Sequence, residues 1–470
     1  MSPIVSMMLP RAARSSAAGL GAVNALTAGT DPDRYFRWRR DRDGDPFEVR
    51  FPGFPPILFT GHPMGARDIF RAPVDLVEPP TPNPIAPLVG DASLILISGE
   101  RHRRERKLLT PPFHGQRMRA YGEIIRDSTL DEIGNWVPGR TVDSRSALRA
   151  ITLRVILEAV FGLSGTDRPA EYIRVVAGFL AAYTVPLMFV PPLRRGVFGR
   201  APWDRFVRAR ERFDALLTED IEHRRASPEN DRVDILSMLL AATYDDGSRI
   251  DDAELREELR TLLVAGHETT ATSVCWALFH LHRHPAILEQ VVAELRDVGP
   301  TAAPDELARL PYLDAVCKET LRLHPPVPIV LRRLTGPLTV CGVPVAKGRT
   351  VGIALPLLHT HPDVWERPDQ FDPGRFEDRR YNPFEFAPFG GAHRRCIGSA
   401  LAEYEMPIVL ATILSRVRLA LPERDRHRPP PVSVPHNIAT GPRRPIRFEV
   451  VGLRHQRDGS VAQRVPHRPR

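Results

Sequence analysis

The chain has 470 residues, 42% of them hydrophobic and 26% charged, with a formal net charge of +8. This balance supports a large globular core and excludes a disordered or fibrous chain. Four cysteines without a C-x-x-C pair exclude a disulfide framework and a zinc ribbon, and point to a reducing, cytoplasmic setting. The modest positive excess does not call for nucleic acid, since no aromatic-plus-basic single-strand motif accompanies it. No stretch approaches 18 uncharged apolar residues, and Met1–Pro10 is too short to span a bilayer, so no stable membrane insertion is expected.

In chain order, residues 1–30 read as a flexible lead-in, and residues 31–450 as one domain. Residues 451–470, rich in arginine and aperiodic, read as a disordered basic tail. Pro46–Thr60, which carries Phe47, Val49 and Phe51 and then Ile57, Leu58 and Phe59, with prolines and a glycine between, predicts a hairpin-like pair. The proline-rich stretch Ala72–Pro87 predicts an irregular loop. Gly99–Leu109 predicts a basic helix that places His102 and Arg106 on one face. Further helices are expected over 117–136, 151–161, 171–183, 202–225 and 234–242. The longest periodic pattern starts at Asp251, where Asp251 and Glu254 have the form of a capping box, and stops at Pro285. A helix of that length must cross the whole domain. Two more helices, short strands, a proline-containing meander over 360–376 and a final small β region complete the chain. The fold class is mainly α with small β-sheets around a long central helix.

Three stretches carry chemistry. The first is Phe389-Gly390-Gly391-Ala392-His393-Arg394-Arg395-Cys396-Ile397-Gly398, followed by an apolar helical run. It suits a cysteine thiolate offered to a metal at a helix start. A helix N-terminus, neighbouring arginines and a metal all lower a thiol pKa. Phe389 suits packing on a flat cofactor. A buried structural cysteine is the bland alternative. The second is Ala265-Gly266-His267-Glu268-Thr269-Thr270, inside the long helix. A mid-helix glycine costs about 1 kcal/mol and needs a reason. Ala265 and Gly266 would let a flat group or dioxygen approach the backbone, and the threonines favour local unwinding. Glu268 and Thr269 set an acid beside a hydroxyl, a plausible proton relay. A zinc-protease H-E-x-x-H reading fails because Ala271 replaces the second histidine. His280, His282 and His284 read as a solvated helix end. The third is Glu319-Thr320-Leu321-Arg322, an acid and an arginine on one helix face, by itself an ordinary surface pair.

Together these stretches resemble the motifs of the cytochrome P450 superfamily, over roughly residues 30–450. The cysteine loop resembles F-x-x-G-x-R-x-C-x-G, with Ala392 where the family usually has glycine. Residues 265–270 resemble A-G-x-[D/E]-T-[T/S], and Glu319–Arg322 the E-x-x-R helix, with Arg375 in Pro373-Gly374-Arg375-Phe376 as its third member. The resemblance implies haem b (iron protoporphyrin IX) bound through Cys396. Its propionates would fall to His102, Arg106, Arg332 and Arg394, and Phe389, Ala265 and Gly266 would lie at the cofactor. Glu268 and Thr269 would serve proton delivery, and Glu319, Arg322 and Arg375 would hold the cysteine-loop fold. The implied activity is that of a monooxygenase. A haem-thiolate isomerase or dehydratase, a peroxygenase and a non-catalytic haem sensor are the alternatives. Apolar segments that include Leu262, Leu263, Val327, Ile329, Val330 and Ile438 are expected to line a pocket for a fatty acid-like or terpenoid substrate. The chain contains no flavin domain and no iron–sulfur spacing, so electrons are expected from a separate acidic ferredoxin or flavodoxin with its reductase. Arg103, Arg104, Lys107 and Arg395 are the docking candidates. A monomer is expected.

Overall fold

The structure is a computed structural model, and it describes residues 17–115, 117–165, 168–226 and 232–454. It is mainly helical with small sheets, as the sequence implied. Its axis is the central helix Asp252–Arg283, 32 residues long. At 1.5 Å per residue it runs about 48 Å. Asp251 caps it, accepting the Ala253 amide at 2.8 Å. The expected capping box does not close, because Glu254 instead pairs with Arg101 at 2.7 Å. Most of its side chains from Leu255 to His282 are buried, so the helix is enclosed on every side, as its apolar composition requires. It packs against the helices Ser144–Phe161, Pro311–Leu323 and Ser399–Arg416. The expected unwinding at Gly266 is absent; the helix is continuous through residues 265–270.

A five-stranded sheet lies to one side, in the order Phe47–Val49, Ile57–Thr60, Thr350–Ala354, Ile329–Leu334, Val77–Glu78. Ile57–Thr60 runs parallel to Thr350–Ala354, and the other neighbours are antiparallel. A three-stranded sheet joins Thr141–Asp143, Arg447–Leu453 and Val417–Ala420.

Three local expectations change. Residues 17–30 form a helix rather than a structureless lead-in. Its alanine-rich sequence favours the helix, and buried Asn24 ties it to the Arg50 carbonyl at 3.0 Å. The histidines at the end of the central helix are not all solvated: His280 and His282 are buried. His280 Nε2 lies 2.8 Å from His324 Nε2, and His324 stacks on Trp276 with ring centroids 3.7 Å apart. The turn after the helix Pro311–Leu323 thus covers this end, a juxtaposition 44 residues away in sequence. The last strand runs to Leu453, past the expected domain end at 450, and the tail call on residues 455–470 lies outside the described residues. Among the described residues, no helix is long and apolar enough to cross a membrane.

Candidate active site

The cysteine loop joins the meander to the helix Ser399–Arg416. The Cys396 amide donates to the Phe389 carbonyl at 2.9 Å, closing the loop. Three residues explain its shape. Gly390 has φ +68, and Ala392 has φ +56, in the left-handed region that disfavours a side chain. Gly391 is extended, and a Cβ on it would meet the Phe70 ring at 2.7 Å. The Arg395 guanidinium lies over the Phe389 ring at 5.8 Å.

Cys396 is open to space on one side while dense protein surrounds it elsewhere. That burial pushes its thiol above the ordinary value. The Gly398 amide, Arg395 and Arg106 act in the opposite direction and are outweighed. The protein alone therefore does not supply the low thiol pKa expected from the sequence. A coordinated metal ion is what makes a thiol here a thiolate.

The structure brings His102, Arg106, Arg332 and Arg394 together, from three separate parts of the chain. Burial, then the charges of Arg394, Arg106, His393 and Arg332, push His102 down to about 3. Arg332 is lowered to about 10 by burial and by Arg394, and Arg394 to about 10 by burial and by Arg106. Among the described residues, none of the three arginines has a carboxylate ion-pair partner. Arg332 donates to the Leu331 carbonyl at 2.8 Å, Arg394 donates to the carbonyls of Ile95 and Ile97, and its Nε is buried without a partner. Three half-buried arginines with no carboxylate partner, around a neutral buried histidine, fit a ligand that carries two carboxylates beside the cysteine, as haem does.

On the central helix, the Thr269 hydroxyl donates to the Ala265 carbonyl at 2.7 Å. Gly266 also has a packing reason. A Cβ there would lie 2.7 Å from Cδ1 of Ile156, so its bareness serves packing on the helix Ser144–Phe161. Glu268 is buried and held by Arg145 at 2.6 Å and Arg149 at 3.0 Å. Arg145 also donates to His436 Nδ1 at 3.0 Å, while His436 Nε2 donates to the Pro442 carbonyl at 3.1 Å. His267 faces away, bonded to Thr152, and burial lowers it to about 4.

Sequence reasoning did not single out Arg145, Arg149, His436 or Glu405 for these roles. The first three come from segments more than a hundred residues from Glu268 or from each other, and nothing local marks them. Glu405 did carry a signal, as an acid inside the apolar run after Cys396. It is buried, bonded to Thr270, and pushed up to about 8 by burial, so it is mostly neutral at pH 7.

Below the cysteine loop lies a buried clasp. Arg322 donates to both oxygens of Glu319, at 2.6 and 2.8 Å, and Arg375 Nε donates to Glu319 at 3.2 Å. Arg322 also donates to the carbonyls of His359, Pro368 and Gln370, wrapping the meander around itself. His359 Nε2 accepts the Ala387 amide at 3.0 Å, which ties the clasp to the segment entering the loop.

The four docking candidates are exposed, and each has a carboxylate of its own chain: Arg103 with Glu100, Arg104 with Asp246, Lys107 with Asp245 and Arg395 with Glu403. Their free charge is smaller than the sequence suggested. The six pocket candidates do not converge. Leu263 is fully buried in the main core, and Ile329 packs instead on the cluster of Tyr35, Phe36 and Phe59. Leu263 shares the helix face of Gly266 and His267, which is turned to the neighbouring helix, and strand alternation turns Ile329 toward Tyr35 and Phe59. Val330 packs with the cluster around Phe70, Val327 is exposed, Leu262 is buried in the main core and Ile438 packs against it.

A thiol opposite unpaired cations, next to a helix that offers an acid and a hydroxyl, defines a haem-thiolate enzyme. The family model described as Cytochrome P450 matches residues 22–445. The chain is 34% identical over 444 residues to "Putative cytochrome P450 135B1" of Mycobacterium tuberculosis, covering 93% of this chain and 92% of that one. It is 34% identical over 380 residues to "Putative cytochrome P450 138" of Mycobacterium bovis, covering 80% and 83%. The structure of retinoic acid bound cyanobacterial CYP120A1 superposes with a TM-score of 0.79 at 25% identity, covering 91% and 96%. The cytochrome P450DA heme domain gives 0.78 at 24% identity, covering 93% and 95%, and shows the same fold. The chain belongs to the cytochrome P450 family. It is therefore a haem-dependent monooxygenase that uses dioxygen, a substrate and redox partner proteins.

Proposed function

We propose that this enzyme hydroxylates an apolar, fatty acid-like or terpenoid substrate, as a cytoplasmic monomer that uses haem b. When bound, haem would supply the redox chemistry by which dioxygen, two electrons and two protons yield a hydroxylated substrate and water. Cys396 Sγ would hold the iron, and His102, Arg106, Arg332 and Arg394 the propionates. Thr269 holds a proton at Oγ1 one residue from Glu268, whose carboxylate is fixed by Arg145 and Arg149. The acid–hydroxyl pair on the central helix is the observation that carries the reading, because a peroxide-driven enzyme and a ligand sensor need no such proton supply. The retinoic acid bound by one structural neighbour, and the apolar pair Leu262 and Ile438 in and against the main core, support a lipid-like substrate.

Electrons would come from an acidic ferredoxin or flavodoxin docking near Arg103, Arg104, Lys107 and Arg395. Charge reversal of Arg104 and Lys107 is expected to weaken that partner and flatten its salt dependence; unchanged affinity would sink the docking site. For the reaction, a spectral-shift screen of fatty acids against terpenes on the haem-loaded protein is followed by turnover assays. The expected result is a hydroxylated product that requires dioxygen, NAD(P)H and the redox partner. Product formed equally well without dioxygen or reductant would overturn the reading.

A further inference from the structure

We propose that His436 is a positioning residue for Glu268: it holds the Arg145 guanidinium in the place from which that guanidinium pins the Glu268 carboxylate. The inference rests on the reading of Glu268 as the acid of the proton supply.

The chemistry of the four groups fixes the arrangement. Arg145 can only donate, so His436 Nδ1, 3.0 Å from it, must accept. The Pro442 carbonyl can only accept, so His436 Nε2, 3.1 Å away, must donate. The ring is thereby locked as the neutral tautomer with its proton on Nε2. The other terminal nitrogen of Arg145 donates to Glu268 at 2.6 Å. Among the described residues Arg145 has these two acceptors, and its Nε is buried without a partner. Without the imidazole, the guanidinium is anchored at one end. Arg149 does not replace that anchor. Its Nε lies 3.0 Å from the second Glu268 oxygen but makes no aligned hydrogen bond, and its side chain is 41% exposed.

The fold presses the imidazole toward the central helix. His436 ends the strand Ser433–His436, and its bond to Pro442 crosses to the paired strand Ala439–Pro442. The Thr440 carbonyl accepts the Thr272 hydroxyl at 3.1 Å, one helical turn on from Glu268. Gly441 leaves the room this needs, since a Cβ there would stand 3.2 Å from His436 Cδ2 and 2.7 Å from Thr272 Oγ1. The hairpin that carries His436 is therefore strapped to the helix that carries Glu268, and Arg145 bridges the two from the helix Ser144–Phe161.

Acid undoes the arrangement. A proton added at Nδ1 sets an N–H against the Arg145 N–H, donor against donor and cation beside cation. The charged groups that face the ring are Arg145 and Arg149 on the helix Ser144–Phe161 and Glu268 on the central helix; His267, next to Glu268, is turned to Thr152. Burial and the two arginines keep the imidazole neutral against the pull of Glu268, so the release falls below pH 6.5 and the hold is closed at neutral pH. A carboxylate fixed in one place supplies its proton along one route. One that is free to turn misplaces it, and dioxygen with two electrons and two protons then leaves as hydrogen peroxide while the substrate stays unoxidised.

The test uses full-length protein in its haem-loaded, carbon monoxide-bound ferrous form, and reads the rotation rate of the Arg145 guanidinium by nitrogen-15 exchange spectroscopy. At pH 7.5, His436→Leu is expected to speed that rotation about tenfold, the worth of one charge-assisted hydrogen bond. In His436→Asn the Oδ1 accepts in place of Nδ1, so the rotation is expected to stay slow and to ignore pH. The wild type is expected to pass from slow to fast as pH falls below 6.5. Haem content is expected to be the same in all three. Unchanged rotation in His436→Leu, no acid response in the wild type, or rotation in His436→Asn as fast as in His436→Leu would each overturn the proposal; the wild-type and His436→Asn arms decide it even where His436→Leu does not fold. The functional readout is hydrogen peroxide released per NADPH consumed, with dodecanoic acid, a plant-type ferredoxin and its reductase. It is expected to rise about threefold in His436→Leu and not in His436→Asn. Faster rotation with an unchanged peroxide yield would support the hold on Glu268 and overturn the reading of Glu268 as the acid.

Discussion

Two groups of buried charge flank the cysteine loop, and they are built in opposite ways. In the clasp, Glu319 faces Arg322 and Arg375, and the guanidiniums spend their remaining donors on meander carbonyls. In the other group, Arg106, Arg332 and Arg394 stand half-buried around His102, which burial and their charges keep neutral, and none of the three arginines meets a carboxylate. A charge whose partner comes from its own chain works for the fold. A buried charge left without one is held ready for something the chain does not supply. The difference separates structural from ligand-binding arginines without reference to any relative.

Substitutions can break this contrast. Glu319→Ala leaves two arginines buried without an anion and is expected to cost about 3–5 kcal/mol, read by denaturant unfolding of the haem-free protein. Arg332→Ala should do the reverse. Haem-free stability is expected to hold or rise as repulsion from Arg394 is relieved, while haem affinity, read by transfer to an acceptor protein, falls about 10–100-fold. A stability loss in Arg332→Ala as large as that of Glu319→Ala would erase the distinction.

Acid sharpens it further. His359, in the clasp, is pushed down to about 3 by burial and by Arg322. An unfolded histidine titrates near 6.5, so between about 6.5 and 3 the unfolded chain binds a proton that the folded chain refuses. The contribution is complete above about pH 6.5 and is lost as pH falls toward 3. His359→Gln is expected to flatten the stability–pH slope by up to one proton, with or without haem. His102 has the same sign in the haem-free protein, but its contribution should shrink once an anion is loaded beside it. The smallest effect is expected at Ala392, whose φ of +56 glycine would adopt freely. Ala392→Gly is expected to keep the haem and to raise the melting free energy by at most about 1 kcal/mol, part of it offset by greater freedom in the unfolded chain.

The sequence made the central helix legible because its start, its stop and its apolar middle are all local signals. The basic helix and the cysteine loop were legible for the same reason. Gly266 was marked as special, but its packing on Ile156 was not visible, since Ile156 lies 110 positions earlier. Glu268 was visible and its two arginines were not. Nothing near Arg145 or Arg149 distinguishes them from charges on a solvated helix face. The charge of Arg104 and Lys107 was overestimated on the same ground, because Asp246 and Asp245 reach them from across about 140 residues, whereas Glu100 and Glu403 stand close in sequence to Arg103 and Arg395. Composition and period describe one element at a time. Partners drawn from distant segments are set only when the core closes.

That closure has a temporal consequence in the five-stranded sheet. Ile57–Thr60 finds its parallel neighbour in Thr350–Ala354, almost three hundred residues later, and Thr141–Asp143 waits equally long for Arg447–Leu453. During synthesis, the early strands leave the ribosome long before their partners exist. Their edges stay unpaired until the chain is nearly complete, and such long-range pairing is slow. A nascent chain of this enzyme is therefore a client for chaperones over most of its length, and any truncation before Ala354 removes the strand that its N-terminal hairpin needs.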